Sequence, residues 1–257
     1  MDPATIIGLG VALGSILTMI ILEGASPMSI LLPAPMILVF GATFAVTLAG
    51  GTLKDTIGAL KALPTAFLSK PKSAADSIDT IVGLADRARR EGLLALEDAA
   101  KDIDDDFLKG GLRSAIDGTD PEDLRAILED RIHSKRLSDK LNYKFFNDMG
   151  GYAPTIGIVG TVVSLVHVLE NLANPAELGH MIAAAFVATL WGILSANVMW
   201  LPIGSRLKRL SELECTQMEL VVEGLLSVQA GANPRLVGER LRSLLPLSEQ
   251  TAAKEAA

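Results

Sequence analysis

All 23 lysines and arginines of this 257-residue chain stand in two blocks, 16 from Lys54 to Lys144 and seven from Arg206 to Lys254. The stretches between and before them hold four apolar runs, Thr5 to Leu22, Ser29 to Leu48, Thr155 to Leu172 and Met181 to Gly204. Each is close to the roughly 20 residues that a helix needs to cross a hydrocarbon core about 30 Å thick. One buried helix of a soluble protein can imitate such a run, but four with this segregation of charge predict a membrane protein. The composition agrees: 49% of residues are hydrophobic and only 4% aromatic, so Ala, Leu, Ile, Val and 23 glycines supply the apolar surface. That mixture lets helices approach closely in lipid.

The connections Glu23 to Met28 and Glu170 to His180 carry three glutamates and no Lys or Arg, whereas Arg206, Lys208 and Arg209 crowd the end of the fourth run. By the positive-inside rule the short connections lie outside and both charged blocks lie in the cytoplasm, with both termini on that side. Met1 to Ile7 has no basic residue, which argues against reading the first run as a cleaved leader. Pro33 and Pro35 place the start of regular helix in the second run at about Pro35.

The expected fold is therefore all-α, a polytopic membrane protein with four transmembrane helices and a helical cytoplasmic domain. Its expected division is 1–50 for spans one and two, 51–150 for the cytoplasmic domain, 151–204 for spans three and four, and 205–257 for a cytoplasmic helix and tail. Residues 69–73 read as a turn, after which Ser77 or Asp79 caps a helix with Ile78, Ile81, Val82 and Ala85 on one face. A second helical period covers Glu91 to Ile103, and Asp102 to Asp106 reads as a solvated acidic helix face rather than a calcium loop, which needs alternating ligands and a central glycine. Gly118 to Asp123 has the form of a helix start, with Pro121 in the first turn. The helix it opens leads into span three, bringing Arg131, Lys135, Arg136, Lys140 and Lys144 toward lipid headgroups or a neighbouring subunit. Ser248 to Ala257 reads as a frayed end.

Chemistry is harder to find. The single cysteine, Cys215, excludes an intrachain disulfide and a Cys-rich zinc site, and the net charge of −7 argues against a nucleic-acid partner. No nucleophile–base motif, phosphate-binding loop, His-Glu-x-x-His or Cys-x-x-Cys occurs, so no enzymatic activity, metal or cofactor is expected. Between their ends the four runs hold no Asp, Glu, Lys or Arg; Glu170 stands at the outer boundary of the third. Ion transfer through the chain would need a carboxylate from elsewhere. What the spans do offer is hydroxyls, with Thr155, Thr161 and Ser164 on span three and Thr189 and Ser195 on span four, plus Pro154 and Pro202 near the cytoplasmic ends. Each hydroxyl alone reads first as a bond to its own helix. His167, one turn from the external end, reads as a wetted or packed histidine before a proton relay, and Asn197 and Trp200 as packing and anchoring groups. Gly157-Ile158-Val159-Gly160 reads as a helix-packing contact.

The run Gly150-Gly151-Tyr152-Ala153-Pro154-Thr155-Ile156-Gly157-Ile158-Val159-Gly160-Thr161-Val162 resembles the MotA/PomA stator subunits of the bacterial flagellar motor. Ala188-Thr189-Leu190-Trp191-Gly192 and Ala88-Arg89-Arg90-Glu91-Gly92-Leu93-Leu94-Ala95-Leu96-Glu97 are similar to stretches of the same family, in the same order along the chain. The wider superfamily includes ExbB- and TolQ-like energisers of envelope systems, which have one span before the cytoplasmic domain where this chain has two. The resemblance implies a subunit of the inner membrane, five copies of which surround two copies of a MotB-like single-span partner carrying the ion-accepting aspartate. It implies that Thr155, Thr161 and Thr189 lie by the ion path, that Pro154 and Pro202 couple ion movement to shape, and that Arg89 and Glu97 face the rotor protein FliG from the 51–150 domain. Residues eight apart on one helix lie about 80° apart around the axis, so Arg89 and Glu97 could face one partner. The translocated ion is left as proton or sodium; the Thr161 hydroxyl leans slightly toward sodium. An ExbB/TolQ-like energiser and a passive membrane scaffold are the alternative functions that the sequence leaves open.

Overall fold

The computed structural model describes residues 3–69, 74–173 and 175–245. In chain order the helices are α1 (Pro3–Leu22), α2 (Pro33–Met36), α3 (Thr43–Ala49), α4 (Leu53–Leu68), α5 (Ala74–Glu91), α6 (Leu96–Lys101), α7 (Asp106–Ile116), α8 (Pro121–Glu170), α9 (Pro175–Leu194), α10 (Leu201–Gln229) and α11 (Pro234–Ser243). Two π-helical segments, Ile37–Ala42 and Ser195–Trp200, join α2 to α3 and α9 to α10. The described residues include no strand. The proposed turn at 69–73, apart from Ser69, and the tail from Ser248 lie outside the described residues.

Among the described residues, three helices are long and apolar enough to cross a membrane: α1, the apolar half of α8, and the helix that continues from α9 into α10. The second expected span is the shorter apolar helix Pro33–Ala49. It begins at Pro33 rather than at Pro35, because a proline at the first helical position removes only an N–H that has no intrahelical partner there. The chain clusters into two compact units, one comprising Met1–Lys70 and Asp139–Arg209, the other Pro71–Ser138 and Leu210–Ala257; α8 and α10 contribute to both.

The first unit holds the apolar helices together with α4. Thr52 starts α4 with a reciprocal cap, its hydroxyl accepting the Asp55 N–H at 3.2 Å while the Asp55 carboxylate accepts the Thr52 N–H at 3.3 Å. Ala59 and Ala66 of α4 are buried against Phe145, Phe146, Met149, Ile203 and Leu207.

The second unit is a helical bundle whose core includes Ile78, Ile81, Leu84, Leu112, Leu128, Leu225 and Leu241. Two expectations are corrected within it. The α5 helix already runs at Ala74, so Ser77 is an interior residue and not a cap; its hydroxyl accepts a hydrogen bond from the Gln217 side-chain amide at 2.7 Å. The acidic run is not a helix face: Asp105 caps α7 by accepting the N–H groups of Phe107 and Leu108, both at 3.0 Å, and the residues before it form the connection from α6. Of the five basic residues of α8 expected to meet lipid or a neighbouring subunit, three have a carboxylate partner on this chain: Lys135 with Glu214 at 2.7 Å and Arg136 with Glu219 in this unit, and Lys144 with Asp148 in the first. The hydrogen bond to Glu219 holds the Arg136 guanidinium above its usual range.

Candidate functional site

Within the first unit, α8 and α9 meet backbone to backbone. A Cβ placed on Gly157 would lie 2.9 Å from the Ala188 carbonyl oxygen and 3.1 Å from Gly192 Cα; one placed on Gly192 would lie 2.7 Å from the Ala153 carbonyl oxygen and 3.0 Å from Gly157 Cα. Only glycine fits either position. Gly160 continues the seam, its missing Cβ leaving room for Leu38 and Ala188. The Gly-Ile-Val-Gly run is thus a packing contact of small residues, the arrangement that draws helices together where no hydrophobic effect operates between them.

This close approach brings together two of the sequence-derived candidates. Thr161 Oγ1 lies in hydrogen-bond contact with Thr189 Oγ1, 3.0 Å from the Ala185 carbonyl oxygen and 3.2 Å from the Gly157 carbonyl oxygen. Carbonyls only accept, so the Thr161 proton goes to one of them and Thr189 is left to donate to Thr161. The pair is a half-buried hydroxyl bridge across the glycine seam, and the Thr189 oxygen keeps acceptor capacity beyond it.

Thr155 stands apart from this pair. Its hydroxyl donates to the Tyr152 carbonyl of its own helix at 2.8 Å, and the residue is exposed. It belongs instead to a stripe on α8 with Tyr152, Val159, Val162 and Val166, all exposed in the single chain. Pro154 sits inside α8 next to Ala153, whose carbonyl touches Gly192, and frees the carbonyl four residues before it. Pro202 lies at the second position of α10, directly after the π-helical segment Ser195–Trp200. Pro154 therefore stands three residues before Gly157 on α8, and Pro202 ten residues after Gly192 where α10 continues from α9. His167 is exposed and held by Asn171 at 3.3 Å, with Glu170 at 3.7 Å.

Several residues escaped the sequence reading. Phe40, in the first π-helical segment, lies between the rings of Trp191 and Trp200 at centroid distances of 5.7 and 6.3 Å, and Trp191 Nε1 donates to the Ile30 carbonyl at 2.6 Å. Two tryptophans in so aromatic-poor a chain were the available signal. Thr43 and Thr47 of α3 are buried, Thr47 donating to the Thr43 carbonyl at 2.8 Å; nothing in their spacing distinguishes them from outward-facing hydroxyls.

In the second unit the charged candidates fall on two helices, which corrects the single-helix geometry. Arg89 ends α5 and Glu97 begins α6; between them Gly92 takes φ 87°, a left-handed conformation that stops the helix, and Leu93–Ala95 form a 3₁₀ turn. The surrounding charges are paired: Arg87 with Glu91 at 3.3 Å, Arg90 with Asp86 at 2.9 Å and Lys101 with Asp98 at 2.7 Å. The Asp98–Lys101 hydrogen bond lowers the carboxyl and raises the ammonium from their ordinary values. Arg89 and Glu97 are exposed and, among the described residues, in no ion pair. Leu94, 76% exposed, stands in the turn between them and was not singled out from the sequence.

A family model described as the MotA/TolQ/ExbB proton channel family matches residues 99–220, and one described as motility protein A N-terminal matches residues 6–92. Motility protein A of Bacillus subtilis is 34% identical over 255 residues, spanning 97% of this chain and 93% of that protein. Among solved structures, C. jejuni MotAB superposes with a TM-score of 0.92 at 29% identity, covering 96% of this chain and 97% of that one. The flagellar MotAB stator complex of Bacillus subtilis superposes with a TM-score of 0.88 at 33% identity, covering 98% of each chain.

Proposed function

Because this chain belongs to the MotA/TolQ/ExbB proton channel family, on its motility protein A branch, we propose that its α8–α9 seam forms one wall of an ion path completed by the partner's carboxylate. The chain is a stator subunit of the flagellar motor, an ion-channel component that works with a MotB-like partner in an oligomeric membrane complex. The observation that carries the ion-path reading is the Thr161–Thr189 bridge, a pair of hydroxyls joined across a seam that glycines keep closed.

On this reading an ion reaches the partner's aspartate beside Thr189, and the exposed α8 stripe from Tyr152 to Val166 receives the partner's single span. A carboxylate in lipid is costly when charged and cheaper when neutralised, so each ion changes which helix packing is favoured. The membrane potential supplies about 2.3 kcal/mol per charge per 100 mV, several times thermal energy. Pro154 and Pro202, each lacking a backbone donor, let the two helices bend at the cytoplasmic end of the seam. Five copies around a partner dimer would step in turn, and Arg89 and Glu97, uncommitted to ion pairs of their own, would engage the charged face of FliG. Such exposed contacts suit fast, repeated, weak engagement. Residues 1–50 and 151–204 supply the membrane part, 51–150 the rotor contact and 205–257 a cytoplasmic helix and tail. Membership of the family supports the inner membrane as the location, and the grouping of Lys and Arg supports both termini lying in the cytoplasm.

Thr189→Val tests the path directly. It keeps the side-chain shape and removes the hydroxyl, so assembly with the partner should persist while ion flux through the reconstituted complex falls about tenfold, the equivalent of roughly 1.4 kcal/mol. Wild-type flux in that variant would remove Thr189 from the path. Flux measured in proton and in sodium gradients identifies the ion, and a complex that assembles but passes neither would be a passive scaffold.

A further inference from the structure

The α4 helix presents an apolar stripe that nothing in the first unit covers. Leu53, Ile57, Leu60 and Leu68 are 67%, 44%, 45% and 58% exposed, and Pro64 between them is exposed as well. At 3.6 residues per turn these five positions fall within about 80° of one another. The opposite side of the helix is occupied, with Ala59 and Ala66 packed on Phe145, Phe146, Met149, Ile203 and Leu207. Lys54 and Lys61, about 20° apart around the axis, border the stripe on the side away from that packing, and both are exposed. The one acid on α4, Asp55, points about 180° from the centre of the stripe and is engaged with Thr52.

Position along the chain says what covers this face. The apolar helix Pro33–Ala49 ends three residues before α4 begins, so α4 starts where a membrane span emerges from the bilayer. A helix with one apolar stripe, flanking lysines and no acid on that side is the form that lies in the plane of a lipid surface, with long lysine stems buried and ammonium groups among headgroups. We infer that α4 lies on the bilayer surface with Leu53, Ile57, Leu60 and Leu68 in the acyl boundary, and that Lys54 and Lys61 select anionic phospholipid headgroups. This gives the stator a lipid-dependent collar, independent of the ion path and of the rotor contact.

The test uses the full chain assembled with its partner in nanodiscs of phosphatidylcholine, alone or mixed with phosphatidylglycerol. An environment-sensitive label is attached at Ile57→Cys or Leu60→Cys, the native Cys215 being buried. Nitroxides on the lipid acyl chains should quench both labels. The preference of the complex for phosphatidylglycerol over phosphatidylcholine should fall about fivefold for each of Lys54→Gln and Lys61→Gln, as expected for losing one basic group at an anionic surface, and Lys54→Arg with Lys61→Arg should retain it. Labels that lipid nitroxides do not reach, or that instead cross-link to a second copy, would overturn the lipid placement and make the stripe a subunit contact. Quenching that persists with no change in lipid preference on removing both lysines would overturn the headgroup selection.

Discussion

Gly192→Ala should abolish ion-driven motility. The added methyl would sit 2.7 Å from the Ala153 carbonyl oxygen, 3.0 Å from Gly157 Cα and 3.3 Å from Gly157 N. All three are backbone atoms of α8, so no side chain can swing aside and the helices themselves must part. Overpacking of this kind costs about 1–3 kcal/mol in stability even where the fold survives. Its functional effect is larger, because separation of α8 from α9 also breaks the Thr161–Thr189 bridge, which lies one turn along the seam. The control is Gly151→Ala, where a new Cβ meets nothing within 4 Å. That variant should swim normally and be at least as stable as the parent, by up to about 1 kcal/mol, because alanine replaces glycine inside a helix. Normal swimming in Gly192→Ala would show that the close seam is not needed.

The second large effect belongs to the charged face. Reversing Glu97 to Lys should stop swimming while leaving membrane assembly and ion flux at the parent level, because a like charge brought against the rotor costs several kcal/mol at each engagement. Asp98→Lys provides the contrast. Asp98 is already bound to Lys101 at 2.7 Å, so its charge is largely spent inside the chain and its reversal should weaken motility far less. Swimming speed of tethered or free cells, measured with stator level, separates the two variants. Equal loss in both would mean that net charge near α6 matters and the specific Glu97 contact does not.

Most of the architecture was legible because lipid excludes charge. The four apolar runs and the helix leading into span three follow from where Lys, Arg, Asp and Glu are absent, a constraint that operates residue by residue along the chain. The Arg89–Glu97 geometry was misread for the opposite reason. Helical periodicity continues on both sides of Gly92, and only its φ of 87° reveals that the chain turns there. A glycine between Glu91 and Leu93 carried that signal but competed with a strong amphipathic pattern. Thr161 and Thr189 could be named as candidates, yet their contact joins positions 28 apart and exists only because Gly157 and Gly192 allow the backbones to touch. The π-helical segments had no equivalent signal: a wider turn differs from an α-turn in hydrogen-bond register, which composition does not encode. The α4 stripe was hidden by its two lysines, which make the segment look like ordinary cytoplasmic helix until its packed side is known.

On the proposed function, this chain forms the wall of an ion path and cannot itself supply the group that accepts the ion. Ion flux into liposomes tests this most directly, comparing the purified chain alone, the chain with its single-span partner, and the chain with a partner whose intramembrane aspartate is replaced by asparagine. Flux in the second preparation and none in the first and third is the predicted result. Selective cation flux through the chain alone would contradict it.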